Sequence, residues 1–299
     1  VRILASGSSG LIGRAFTARA RALGHDVTRL VRHAPAGADE VRWDPAAGAP
    51  EPRAIEGFDA VVSLSGAGIG DARWSAARRA LLRASRVRTT ANLAVALAQL
   101  ARPPRVLVSA SAVGWYGDRG DEWLEEDAVP GEGFLAALAR EWEAAAAPAS
   151  AAGIRVVHPR SGIVLARRGG ALGRLLPNFR AGLGGPLGNG RQWWSWIALE
   201  DMVAALLHAI ASDAMRGPFN AASPQPETCA AFARTLGRVL GRPALLPAPA
   251  FALRLVLGRS FADEVLLASQ RARPAALARS GFSFGSPDLE GALRSVLAA

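Results

Sequence analysis

Three clusters of residues have types and spacings that could do chemistry. Gly7, Gly10 and Gly13 stand at G-x-x-G-x-x-G spacing, with Ser8, Ser9, Leu11 and Ile12 between them. Glycines so placed let a backbone turn tightly and approach a pyrophosphate, while the first unbonded N–H groups of a following helix point at the phosphate oxygens. Leu64, Ser65 and Gly66, followed by Gly68 and Gly70, form a second run where small residues admit a ligand closely. Ser109, Ser111 and Tyr116 form the third, hydroxyls able to hold or move a proton at a substrate oxygen.

Each cluster needs elements to position it. Val1, Ile3, Leu4 and Ala5 read as a buried strand, and Leu11, Ala15, Ala18 and Ala22 recur at helical spacing. The glycines therefore lie where a strand turns into a helix, which gives the motif its meaning. The same spacing at Gly182, Gly185 and Gly188 has no strand before it and Pro186 within it, so it reads as a loop. Further strands are expected at 25–31, 41–43, 59–65, 105–109, 154–157 and 217–222, with helical patterns over 73–100, 134–147 and 200–212. This alternation predicts a doubly wound parallel sheet of α/β class. The stretch 169–190 reads as irregular, and Trp193, Trp194 and Trp196 read as core or domain interface in preference to a ligand platform. From Thr228 on, prolines break a helical pattern, which predicts a smaller, mainly helical C-terminal substrate domain. The expected division is 1–165 with 195–222 for the nucleotide domain, and 166–194 with 223–299 for the cap.

The second strand ends at Arg32. An acid there would bind the free 2′-hydroxyl of NAD, whereas Arg suits the 2′-phosphate of NADP, so NADP(H) is the expected cofactor. The alternative is one more surface Arg. Arg86 and Thr90 share a helix face; Arg86 could reach a phosphate, structure the loop at Gly66, or be a solvated surface Arg. Pro159, closing the strand before Arg160, completes the expected cofactor set.

The net charge of +10 does not point to a polyanion. All 35 basic residues are Arg, none is Lys, and they are spread without a block. Nucleic-acid binding is therefore not expected. No apolar run reaches the ~18 residues of a membrane span, and one cysteine excludes a disulfide framework and a multi-cysteine metal site. A strand at the outset leaves no signal segment, so a cytoplasmic monomer or homodimer acting on a small molecule is expected.

Together, ASGSSGLIG, DAVVSLSGAGIG, SRVRTTANL, SASAVGWYG, RSGIVL with GGALG, GLGGPLGNG, SWIALED and GFSFGSPDLEGAL resemble the atypical, extended branch of the short-chain dehydrogenase/reductase superfamily. More narrowly, the chain resembles "epimerase family" proteins that end in a conserved domain of unknown function. The resemblance runs nearly end to end. It implies a Rossmann domain with a C-terminal cap, NADP binding, and a substrate the motifs do not name. The superfamily uses Ser, Tyr and Lys, with Tyr four residues before Lys. Here Lys is absent, Phe134 or Leu135 stands at the Tyr position, and Leu138 or Ala139 at the Lys position. Ala198 departs from the His common in such sequences. Ser111, less securely Ser109, matches the superfamily Ser. The expected enzyme is thus an NADP(H)-dependent oxidoreductase or epimerase-like protein without the usual Tyr–Lys pair. Ser111 holds the reacting oxygen, and Tyr116, a water or Glu227 handles the proton. The alternative is a non-catalytic NADP(H)-binding sensor or scaffold. Ser111 satisfying local backbone and Tyr116 packed as a plain aromatic remain open readings of those residues.

Overall fold

The computed structural model describes residues 1–298. The central sheet is built from β1 (Arg2–Ser6), β2 (Asp26–Val31), β3 (Glu40–Arg42), β4 (Ala60–Ser63), β5 (Val106–Ser109), β6 (Arg155–Ser161) and β7 (Gly217–Ala221). Their order is β7-β6-β5-β4-β1-β2-β3. β1 pairs in parallel with both β2 and β4, so the winding reverses on its two sides. In such sheets, ligands bind where strand order reverses, outside the carboxyl ends. The two-residue strand Ser111–Ala112 also pairs with β6.

By its contacts the chain divides into two units. The first comprises Val1–Ser111, Leu138–Pro159 and Val203–Pro218; the second comprises Ala112–Ala137, Arg160–Met202 and Phe219–Ala299. This boundary differs from the expected one. The segment 112–137 joins the second unit, a tertiary choice that strand and helix periodicity does not encode. With the boundary there, the two units hold near-equal lengths of chain.

In the first unit, Leu4, Val61 and Leu107 from neighbouring strands pack with Ile55, Leu93 and Leu97 in one apolar cluster. The helical pattern of 73–100 resolves into helix Ala76–Arg83, a π-turn at Ala84–Arg88, and helix Thr89–Ala98. Ser75 caps the first of these, its Oγ accepting the Arg78 N–H. Arg155, buried on β6, donates to the carbonyls of Ala209, Ile210 and Met215, so its cation serves the end of helix Leu199–Ala211.

In the second unit, Leu172, Leu176 and Phe179 line one face of helix Gly170–Arg180 and enter a core with Trp194, Trp196 and Phe232. The stretch 169–190 is thus helical over half its length. Its glycines and Pro177 hide a stripe at i, i+4, i+7. Trp194 meets Phe232 edge to face at 5.3 Å, and Trp196 Nε1 donates to Gln225 O at 2.9 Å. Three two-stranded ribbons join Trp193–Trp194 to Glu227–Thr228, Ile163–Leu165 to Trp196–Ala198, and Trp123–Leu124 to Arg271–Ala272. Cys229 begins helix Cys229–Leu240; it is buried, its Sγ accepts the Leu187 N–H, and burial pushes its thiol up to about 11. No helix among the described residues is long and apolar enough to cross a membrane.

Candidate functional site: a backbone cradle and a serine–carboxylate pair

The turn after β1 is shaped by its glycines. Gly7 has φ +71°, the left-handed region, and a Cβ there would lie 2.5 Å from the Leu64 carbonyl carbon. A Cβ on Gly13 would lie 2.2 Å from Gly7 O and 2.7 Å from Ser8 Cα. Backbone therefore abuts backbone between this turn and the start of the loop after β4. Gly10 is the N-cap of helix α1 (Leu11–Ala22) and supplies no side-chain cap, and the first turn holds no acid. Arg14 N–H makes the bond to Gly10 O. The N–H groups of Leu11 and Ile12, nearer the helix start, are left for an external acceptor, as helix openings provide. Ser8 is buried and Ser9 exposed at the rim. This arrangement suits a pyrophosphate.

The loop after β4 is held from beneath. Ser65 Oγ donates to Ser6 Oγ at 3.1 Å, and Ser6 Oγ donates to Ser63 Oγ at 3.2 Å. Arg86 is 8% exposed, donates to Ala67 O at 2.9 Å and Leu82 O at 3.3 Å, and lies over the Trp142 ring at 5.1 Å. A Cβ on Gly66 would meet its Cζ at 3.0 Å. Burial, then the nearby Arg78 charge, pushes the Arg86 guanidinium down to about 10. Arg86 is therefore a loop support, which corrects its assignment among the phosphate-binding residues: the π-turn at 84–88 directs it inward.

Arg32, just past β2, is exposed and makes no hydrogen bond or ion pair among the described residues. The nearby acids are engaged. Glu40 on β3 pairs with Arg29 at 2.9 Å and accepts the Ala36 N–H, and Asp39 pairs with Arg21 and Arg29. Arg21 and Arg29 hold the Asp39 carboxyl below its ordinary range, its hydrogen bond to Arg21 contributing most. A free guanidinium with no free acid beside it suits a 2′-phosphate. Pro159 is buried within β6 and brings no N–H to a ligand.

Ser109 and Ser111 differ. Ser109 Oγ is fully buried without a hydrogen-bond partner, while its carbonyl accepts from His158 Nδ1 at 3.2 Å. Ser111, 3% exposed, donates from Oγ to Glu143 Oε1 at 2.6 Å. Both residues belong to the first unit. Sequence reasoning missed Glu143. The available signal was its spacing on helix Phe134–Ala144, one turn beyond Ala139 on the same face.

Tyr116, in the second unit, has no exposed surface. Its hydroxyl lies 2.7 Å from Asn220 Oδ1 and accepts from Arg160 Nη1 at 3.1 Å. The Arg160 guanidinium also donates to Glu126 O and lies over the Trp115 ring at 3.9 Å. Burial pushes the phenol above its ordinary value, against the lowering effect of Arg160. An enclosed hydroxyl with these bonds is a packing element, which corrects its assignment as a proton carrier. Glu227 lies opposite Trp194 in its ribbon, and burial raises its carboxyl. Trp194 Nε1 is buried without a partner. Among the described residues no group of three or more His, Cys, Asp or Glu could hold a metal.

The reversed parallel sheet and the glycine cradle at its switch point define a Rossmann protein of the dinucleotide-binding class. The chain belongs to the NAD dependent epimerase/dehydratase family, whose model matches residues 3–222; a domain of unknown function, DUF1731, matches residues 248–296. Epimerase family protein ML0860 of Mycobacterium leprae is 47% identical over 279 residues, 93% of this chain and 90% of that protein. Human epimerase family protein SDR39U1 is 36% identical over 302 residues, with both chains covered completely. The crystal structure of human SDR39U1 (isoform 2) with NADPH superposes with a TM-score of 0.91 at 35% identity, covering 100% of this chain and 99% of that one.

Proposed function

We propose that the chain binds NADP(H) at the Gly7–Gly13 turn and acts as an oxidoreductase or epimerase-type enzyme on a small carbonyl or carbinol compound. The observation that carries this reading is the cradle itself. Gly7 and Gly13 are sterically obligatory, and the N-terminus of α1 has neither an acid nor a side-chain cap. The NADPH in the human SDR39U1 crystal structure supports the choice of cofactor. Leu11 and Ile12 N–H, with Ser8 and Ser9, hold the pyrophosphate; Leu64, Ser65 and Gly66 bound the opposite side; Arg32 takes the 2′-phosphate. When bound, the nicotinamide gives or takes a hydride at a substrate carbon. Ser111 Oγ hydrogen-bonds the substrate oxygen and orients it.

Two observations favour a second reading, a non-catalytic NADP(H) sensor or scaffold: the chain holds no Lys, and its one Tyr is enclosed. One experiment separates them. NADPH oxidation is followed at the nicotinamide absorbance against a panel of carbonyl and enone compounds, with fluorescence titration of NADPH and NADH alongside. Binding with turnover is expected. Tight binding without turnover on any compound favours the sensor, and no binding overturns both.

A further inference from the structure

The Ser111 hydroxyl could have been satisfied by local backbone, as strand-end serines often are. It donates instead to a carboxylate 32 positions away in sequence, at 2.6 Å, within the range of strong charge-assisted bonds. Glu143 lies on helix Phe134–Ala144, one turn beyond Ala139, one of the two positions where the superfamily resemblance puts its missing Lys. Ser111 is buried, while Glu143 keeps partial exposure, so a proton on it can exchange with solvent. The Tyr116 phenol is enclosed in the other unit.

We propose that Glu143 is the acid–base partner of Ser111, and that the pair replaces the absent Tyr–Lys couple as the proton path; this rests on the oxidoreductase reading above. In the alcohol-oxidising direction, the substrate hydroxyl donates to Ser111 Oγ, whose own hydrogen lies toward Glu143 Oε1. As the C–H bond breaks and its electron pair passes to NADP+, the O–H proton moves to Ser111 Oγ and the serine proton moves to Glu143 Oε1. A C=O bond forms, Ser111 is again neutral, and Glu143 is a carboxylic acid. In the reducing direction the same two protons return, ending on the substrate oxygen. An epimerase-type cycle, oxidation followed by reduction on the opposite face, leaves the carboxyl unchanged overall.

The test uses the full chain with 9,10-phenanthrenequinone as the carbonyl probe and NADPH as reductant, in Glu143→Gln, Glu143→Asp and the parent protein. Reduction needs the carboxylic acid, so the parent rate should fall as pH rises. Glu143→Gln keeps a hydrogen-bonding group but has no transferable acid proton. Its rate should drop about a hundredfold or more and lose that pH dependence, with the NADPH dissociation constant unchanged. Glu143→Asp should recover part of both. His158 and Glu141, whose carboxylate pairs with Arg83 at 2.7 Å, also lie in this unit and are present in every variant. The difference between profiles therefore isolates Glu143. An unchanged rate and profile in Glu143→Gln overturns the proposal and leaves the oxidoreductase reading standing.

A second arm needs no turnover. The Glu143 side-chain carboxyl, labelled with 13C and assigned through Glu143→Gln, is observed by NMR at one pH in the parent and in Ser111→Ala. Loss of the serine donor should move its resonance; an identical resonance overturns the pairing. Failure of the parent protein to bind NADPH overturns the cofactor reading and this proposal with it.

Discussion

Gly13→Ala separates what the cradle does for binding from what it does for folding. In a helix interior, Ala is favoured over Gly by ~1 kcal/mol, and Gly13 lies within α1. By propensity alone the change stabilises. The Cβ it adds, however, would stand 2.2 Å from Gly7 O. Ordinary non-bonded contacts begin near 3.5 Å, so the turn must retreat by roughly an ångström. Overpacking of this kind costs about 1–3 kcal/mol, partly offset by the helix gain, which leaves a modest net loss of stability. A fall in Tm of no more than about 4 °C is expected. Binding should suffer more. Losing even one charge-assisted hydrogen bond from the turn to the pyrophosphate costs about 1.5–3 kcal/mol, or roughly ten- to a hundredfold in affinity. The assay is NADPH fluorescence titration beside thermal unfolding. Wild-type affinity in Gly13→Ala would refute the cradle.

Four other outcomes are expected. Arg32→Ala should weaken NADPH binding about tenfold or more while sparing NADH; equal losses for both would remove Arg32 from the 2′-phosphate. Ser111→Ala should lower turnover with NADPH affinity intact, as measured by initial rates and titration. Tyr116→Phe should leave the Arg160 guanidinium and Asn220 amide short of a partner, destabilising by about 1–3 kcal/mol in urea unfolding. Its pH–rate profile should not change. Glu227→Gln should stabilise at neutral pH. The half-buried carboxyl's raised value means its protonated form favours the fold. That contribution is whole below the ordinary value of 4.5 and is lost as pH rises through the raised one, so the gain from Gln should vanish on acidification. Chemical denaturation at two pH values reads it.

The glycine turn was legible because three constraints coincide there: a strand, a helix, and positions where only Gly fits. The strands were legible because parallel-sheet strands are continuous apolar runs, and the edges moved by only a residue or two. β6 alone runs further than expected, to Ser161. It continues through a Pro and two basic side chains that look like a strand's end. Helix Gly170–Arg180 was hidden by the propensities of Gly170, Gly173 and Pro177, which tertiary burial of Leu172, Leu176 and Phe179 overrides. Arg86 and Tyr116 illustrate a different limit. Their residue types suggest chemistry, but burial assigns them to support, and burial of a single polar residue is not periodic. Glu143 was passed over because the reading of its helix stopped at the two positions where a Tyr and a Lys were sought.

The buried Cys229 thiol also gives the molecule a reporter. It is the one sulfhydryl in the chain and lies in the core of the second unit. With its value near 11, about one part in a thousand is thiolate at pH 8. Because the side chain is buried, alkylating reagents should act almost entirely on transiently opened molecules. The labelling rate under native conditions, divided by that of an unfolded thiol, then gives the free energy of opening for that unit alone. No engineered probe is needed, and the first unit, which lacks cysteine, stays spectroscopically silent. A cofactor that slows this clock on binding to the first unit would reveal energetic coupling that equilibrium titration does not register.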